Sequence, residues 1–323
     1  MSPDSEEFAR LTNAFRPELL AYCYRMLGSV HDAEDQVQET LVRAWRSYGE
    51  FEGRSSLRTW LYRIATNACL RALENRERRP LPSGLAGPED SLTASPVASR
   101  QDVAWLQPFP DALLGSGDPA ATVSSRASMR LALIAALQYL PPRQRAILLL
   151  REVLGWRAAE VADLLGTTTA AVNSALQRAR TQLDAVAPAE NDLREPIDAD
   201  QRALLDRYAS AFENADVSAL MELLRADAVF EMPPQPIWFA DRAHTLSFLE
   251  THVLREPGLF RMLPSVANGQ PAVVAYGRDA QGSYHAHGVQ VLTMDRTSIS
   301  RVVSFNDASL VGAFGMPPVL TNS

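Results

Sequence analysis

The apolar residues of this chain change their period once, and that change constrains its fold more than any other feature. From Phe8 to about Glu77 the spacing is helical: Val30, Ala33, Val37, Leu41 and Ala44 recur at steps of three and four, as do Leu57, Leu61, Ile64, Ala68 and Ala72. The same spacing returns from Ser128 to about Val186. Beyond two further helical stretches, 198–214 and 217–224, the runs DAVFEM, RMLPSVA, PAVVAYGR, YHAHGVQVLTM and SISRVVSF alternate and are rich in β-branched residues. Helices first and strands later predict two all-helical parts followed by a separate α+β domain.

A length of 323 residues suits such a multidomain chain, and 46% hydrophobic content is enough to bury its cores. No run approaches the roughly 18 apolar residues of a membrane helix, and MSPDSEEFARL opens acidic where a secretory signal opens basic. A cytoplasmic protein without membrane association is expected. Cys23 and Cys69 sit in helical patterns without CxxC or Cys/His spacing, so both are expected in a core, with no disulfide, no metal site and no cofactor.

The net charge of −7 is unevenly distributed. Residues 1–52 carry −5, 53–80 carry +5, 81–125 carry −4, 126–186 carry +4 and 187–323 carry −7, all the positive charge being arginine. Two basic islands inside an acidic protein point to nucleic-acid contact at those islands.

The C-terminal part of the second island is a helix-turn-helix pattern. A short helix, Ala158–Leu165, ends at Gly166, and hydroxyl residues then cap a second helix. With Val172 as origin at 100° per residue, Ala175, Leu176, Ala179 and Leu183 form a buried stripe, while Ala170, Asn173, Ser174, Gln177 and Thr181 lie opposite, flanked by Arg178 and Arg180. Amides, hydroxyls and arginines on one face suit base edges in a major groove and the phosphates beside it. In the first island Trp60, Arg63 and Asn67 share a helix shoulder behind Arg54 and Arg58, a combination that suits unpaired bases and their backbone. The preceding helix opens with Asp32, Glu34, Asp35 and Glu39, which favour a helix N-terminus and also a basic protein partner.

Taken together these residues resemble one family. YRMLGSVHDAEDQVQETLVRAWRSYGEFEGRSSLRTWLYRIATNACL is similar to region 2 of extracytoplasmic-function (ECF) sigma-70 factors, and LPPRQRAILLLREVLGWRAAEVADLLGTTTAAVNSALQRARTQL to region 4. The resemblance covers residues 8–186. It implies a sigma factor that binds RNA polymerase core through the β′ clamp helices and β flap and directs promoter-specific initiation. Asp32, Asp35, Gln38 and Glu39 would contact the core polymerase. Arg54, Arg58, Trp60, Arg63 and Asn67 would capture the melted −10 element of promoter DNA, and Ala170, Asn173, Ser174, Gln177, Arg178 and Arg180 would read the −35 element. From about Asp200 the chain is similar to SnoaL-like domains of the NTF2 superfamily, in which helices and a curved sheet enclose a conical pocket. With WLQPFPD and MPPQPIWFADR it most resembles the SigG-like subgroup, where such an extension is thought to regulate the sigma domains.

The expected layout is region 2 over 1–80, a flexible linker carrying WLQPFPD over 81–125, region 4 over 126–186, a second linker over 187–199, and the SnoaL-like domain over 200–318. In that last domain Tyr208, Phe212, Met232 and Trp238 are expected to line a pocket with His285 and His287, which alternate onto one strand face. Two histidines without an assignable carboxylate make a weak metal site, so none is expected and the domain reads as regulatory rather than catalytic. Intramolecular contact between this acidic domain and the basic sigma domains is a further expectation from the charge map. Two other readings remain: a one-component regulator whose third domain senses a ligand, and an isomerase or hydrolase fused to a DNA-binding head.

Overall fold

The computed structural model describes residues 3–53, 55–74, 76–115, 128–186 and 199–321. The chain forms two compact units, one of residues 1–79 with 113–188 and the other of residues 80–112 with 189–323.

The first unit is helical. Helices α1 (Pro3–Asn13), α2 (Arg16–Leu27), α3 (Val30–Arg46) and α4 (Leu57–Leu73) make its first half. Local chemistry sets their limits: Pro17 sits in the first turn of α2, Gly28 closes it at φ 69°, and the Ser29 and Ser56 hydroxyls accept the Asp32 and Thr59 amides at the starts of α3 and α4. Leu19, Tyr22, Cys23, Met26, Val37, Leu61 and Cys69 are shut away between α2, α3 and α4, and both cysteines are free thiols in that core.

Helices α5 (Leu131–Leu137), α6 (Pro142–Leu148), α7 (Ala158–Leu165) and α8 (Thr169–Val186) make the second half, with a π-turn over Leu149–Val153. Arg145 joins the halves. Its buried guanidinium donates to the Met26 carbonyl at the end of α2 and to the Gln138 and Leu140 carbonyls, and burial lowers it to about 10. Cationic donors suit the unpaired carbonyls of a helix C-terminus. Arg25, also buried and lowered to about 10, reaches Ser128 at 2.7 Å.

The second unit is α+β. Helices α9 (Ala199–Glu213) and α10 (Val217–Leu223) precede β1 (Leu224–Glu231), β2 (Trp238–Phe239), α11 (Arg242–Phe248), β3 (Phe260–Ala267), β4 (Gln270–Arg278), β5 (Tyr284–Met294), β6 (Ile299–Phe305) and β7 (Val319–Leu320). All five alternating runs are strands. The sheet runs β2-β1-β6-β5-β4-β3 with β7 beside β5, antiparallel except for β1 against β6. Bulges bend it, and at Gly288 a Cβ would stand 2.0 Å from the Phe305 carbonyl oxygen, so only glycine lets β5 approach the end of β6 there. The helices pack Leu204, Tyr208, Phe212 and Leu223 into one core with the strand residues Phe230, Val273, Leu292 and Val302.

The stretch expected as a flexible linker behaves otherwise over Pro80–Ala112, which belongs to the second unit. Trp105, Leu106 and Phe109 are buried, and Pro110 bridges Ala267. Phe109 exchanges two hydrogen bonds with Asn268, whose side-chain oxygen accepts the Phe109 amide at 2.8 Å and whose amide donates to the Phe109 carbonyl at 2.9 Å. Asp111 accepts the Gly269 amide at 2.8 Å, and the buried Glu231 carboxylate accepts the Ser83 amide at 3.0 Å while pairing with Arg301. Proline and serine content suggests a tether, but these contacts are long-range and no local periodicity announces them. Residues 116–127 and the second expected linker, apart from Ala199 in α9, lie outside the described residues.

Candidate nucleic-acid and polymerase interface

Helix α8 separates its two faces cleanly. Val172, Ala175, Leu176 and Ala179 are buried, while Ala170, Asn173, Ser174, Gln177, Arg178 and Arg180 are all exposed. Gly166, at φ 62°, turns the chain between α7 and α8, and the Thr168 hydroxyl accepts the Ala171 amide at 3.2 Å. Arg180 pairs with Glu152 at 2.6 Å, and Arg178 has no ion pair among the described residues. The exposed row therefore holds donors, acceptors and one free cation along a single helix face.

In the first half of the unit, Arg54 lies outside the described residues. Arg58 is held by Glu18 through contacts of 2.8–3.0 Å and lies over the Tyr62 ring. Trp60 is half-buried against Phe51, with ring centroids 4.8 Å apart. Arg63 and Asn67 are exposed, and Arg63 is ion-paired with Asp163 of α7. Asn67 faces a shallow groove whose other walls are Arg43, Arg46, Ser47, Ile64 and Arg71. Sequence reading singled out Asn67 but missed Arg43, Arg46 and Arg71, which come from two helices and have no common spacing.

On α3, Asp35 and Gln38 are exposed. Asp32 is drawn back by Arg76 and Arg79, the latter at 2.6 Å, and Glu39 pairs with Arg43 at 2.5 Å. Of the four residues expected to meet polymerase, two are free and two are engaged internally.

The second unit contains a cavity of about 390 Å³. Of the residues expected at a pocket, Phe212, Met232 and His287 line this cavity. Tyr208, Trp238 and His285 do not: Tyr208 is buried and donates to Gln290, the Trp238 indole donates to the Ala86 carbonyl, and His285 is bonded to Asp279. The histidines part because of a bulge. Ala275 pairs with Gly288 and Tyr276 with Ala286, leaving His287 as the extra residue of β5, which breaks the alternation assumed from sequence. His287 is crowded by protein yet reachable through the cavity, and its desolvation holds it below the usual histidine range. Among the described residues no cluster of three or more metal-ligating side chains occurs.

Comparison with known proteins places both helical halves. Residues 11–79 match the family model of sigma-70 region 2, and residues 130–183 that of sigma-70 region 4. The chain is 49% identical over 318 residues to the ECF RNA polymerase sigma factor SigG of Mycobacterium tuberculosis, covering 97% of this chain and 85% of the relative. The chain belongs to the ECF sigma factor family. A probable ECF sigma factor of the same organism, SigI, is 26% identical over 90% of this chain and 89% of its own length. The crystal structure of the ECF sigma factor SigJ from M. tuberculosis superposes with a TM-score of 0.58 at 21% identity, over 94% of this chain and 98% of that one, a likeness of fold that includes the carboxy-terminal sheet domain.

As an ECF sigma factor the chain binds RNA polymerase core and promoter DNA and directs transcription initiation. Sigma factors are not enzymes. Identity spanning both sigma regions disfavours the one-component regulator. Region 2 carries α2, α3 and α4, and region 4 carries α5 to α8. No described helix is long and apolar enough to cross a membrane.

Proposed function

We propose that region 4 reads the −35 element through Ala170, Asn173, Ser174, Gln177, Arg178 and Arg180, and that region 2 captures the melted −10 element through Arg54, Arg58, Trp60, Arg63 and Asn67. The observation that carries this reading is the exposed row on α8 set against an opposite stripe in which Val172, Ala175, Leu176 and Ala179 are buried and Leu183 is half-buried. That division leaves an entire helix face for a major groove. Arg43, Arg46 and Arg71 beside Asn67 supply charge for a strand's phosphates. Asp35 and Gln38 form the core-facing surface toward the β′ clamp helices, with region 4 meeting the β flap. The action is binding rather than chemistry: bases held out of the duplex stabilise the open complex.

The carboxy-terminal domain acts as a regulator of the sigma regions, by intramolecular contact and without catalysis, and the protein works in the cytoplasm. No carboxylate lines the cavity among the described residues, which suits binding better than general acid–base work. The test is reconstitution. Added to bacterial core polymerase on promoter templates, the protein should form a core complex and yield a discrete transcript; absence of both refutes the sigma reading. Truncation near Ala187 should change promoter binding or transcript yield, and unchanged behaviour refutes regulation by the third domain.

A further inference from the structure

The cavity of the second unit has a chemistry of its own. Its volume lies at the small end of the roughly 300–1,000 Å³ typical of small-molecule sites. Much of its wall is apolar, with Phe212, Phe248 and Phe260 among the larger side chains. Gln290, Ser304, Asn306 and Gln235 form a polar wall bonded within the protein: Tyr208, behind it, donates to Gln290, Gln290 to Ser304, Ser304 to Asn306, Asn306 to Gln235, and Gln235 to Ser99, at 2.8 to 3.3 Å. Every side chain in that wall therefore has a partner within the protein before any ligand enters.

Two cations line the cavity and are exposed, Arg255 and Arg278, and no acid accompanies them there. Arg278 is already paired with Glu256 at 2.6 Å, whereas Arg255 has no ion pair among the described residues. An apolar interior with an uncompensated guanidinium selects a molecule that is apolar at one end and anionic at the other. We propose that this cavity binds a small apolar carboxylate, its hydrocarbon part among the phenylalanines and its carboxylate on Arg255, with Arg278 as a secondary contact.

The site is completed by the Pro80–Ala112 segment. Pro96 and Val97 line the cavity, and the nearby Ala94 carbonyl accepts Nε2–H of His252, another lining residue, at 2.8 Å. A ligand that touches Pro96 and Val97 binds best when the segment is docked and therefore stabilises docking, by linkage. The consequence for transcription rests on the reading of the third domain as a regulator; the binding itself does not.

Isothermal titration of the full-length protein with octanoate, octan-1-ol and octylammonium tests the proposal. One octanoate should bind per chain, at least tenfold tighter than octylammonium. Arg255→Gln should weaken octanoate at least tenfold while leaving octan-1-ol unchanged, and Arg278→Gln should weaken it less. Gly277 lines the cavity with open space at its Cβ position, so Gly277→Phe should abolish binding of octanoate and octan-1-ol alike. Absence of octanoate binding, equal affinity for the three probes, or indifference to Arg255→Gln overturns the proposal. Should Gly277→Phe not fold, the exposed Arg255→Gln still decides it. No polymerase enters the experiment, so its failure is distinct from failure of the sigma reading.

Discussion

Arg63 of region 2 is ion-paired with Asp163 of region 4, so an arginine proposed for the −10 element is neutralised by an acid from the helix-turn-helix. Their side chains are 46% and 75% exposed, and a pair in that setting contributes about 0–1 kcal/mol. The contact masks Arg63 yet is weak enough to open on a partner. Asp163→Asn should leave the melting temperature nearly unchanged and raise the affinity for single-stranded DNA at low salt, an advantage that fades by about 0.2 M salt. Fluorescence anisotropy across a salt series measures it, and equal affinities at low salt would show that Asp163 does not mask the arginine.

On α3, Asp35 and Gln38 are free whereas Asp32 is tied to Arg76 and Arg79. Asp35→Ala and Gln38→Ala should each weaken core-polymerase association with little effect on folding. Trp60→Ala and Asn67→Ala should spare core association and impair promoter opening, read by permanganate reactivity of unpaired thymines. The same defect from both sets would contradict the division of labour.

Arg178 is exposed on α8 without an ion pair among the described residues, so its removal breaks no ion pair there. Arg178→Ala should lower promoter affinity by about 1–3 kcal/mol if it contacts a base, and should then relax preference at one −35 position. A uniform loss across sequences, with a shallower salt slope, would assign it to a phosphate instead.

Asn268 occupies a left-handed conformation at φ 56° and is followed by Gly269 at φ 65°, a two-residue turn between β3 and β4 of the Asn-Gly type. Its side chain also accepts the Phe109 amide. Asn268→Gly keeps the turn and the backbone bond to Phe109 but removes the side-chain acceptor, a loss of about 0.5–1.5 kcal/mol. Limited proteolysis should then cut within Pro80–Ala112 at protease levels that spare the parent protein.

His287 is held below its usual range by desolvation, partly offset by its bond to Asn306. The unfolded chain therefore takes up this proton first, at about pH 6.5, and stability is lost as the pH falls from there through the folded value. His287→Gln should flatten the dependence of melting temperature on pH below about 6.5. In the parent protein the His287 ring resonance should titrate with a midpoint below that value; a midpoint at or above it contradicts the assignment.

Much of this was legible in the sequence. The α8 stripes follow from 100° geometry because that helix is amphipathic and its burial is local in origin. All five strands follow from alternation. The cavity was only half legible: Phe212 and Met232 lie on regular elements, while His287 is placed by a bulge that alternation cannot register and Trp238 is turned to a carbonyl of the preceding segment. The groove beside Asn67 gathers Arg43 and Arg46 from α3 and Arg71 from α4, about twenty-five residues further on, and Asp32 is claimed by arginines more than forty residues later. Such pairings are properties of packing, and no window of sequence contains them.

The docking of Pro80–Ala112 has a mechanical consequence. This segment is the chain that leads from region 2 toward region 4, and it is fastened to the third domain at Glu231, Trp238, His252 and Asn268. Fully extended, it would add about 110 Å of contour. On the proposed reading of the carboxy-terminal domain as a regulator, it would act as a reel: holding or releasing this length would set how far apart regions 2 and 4 can travel, and hence whether one protein can span both promoter elements at once.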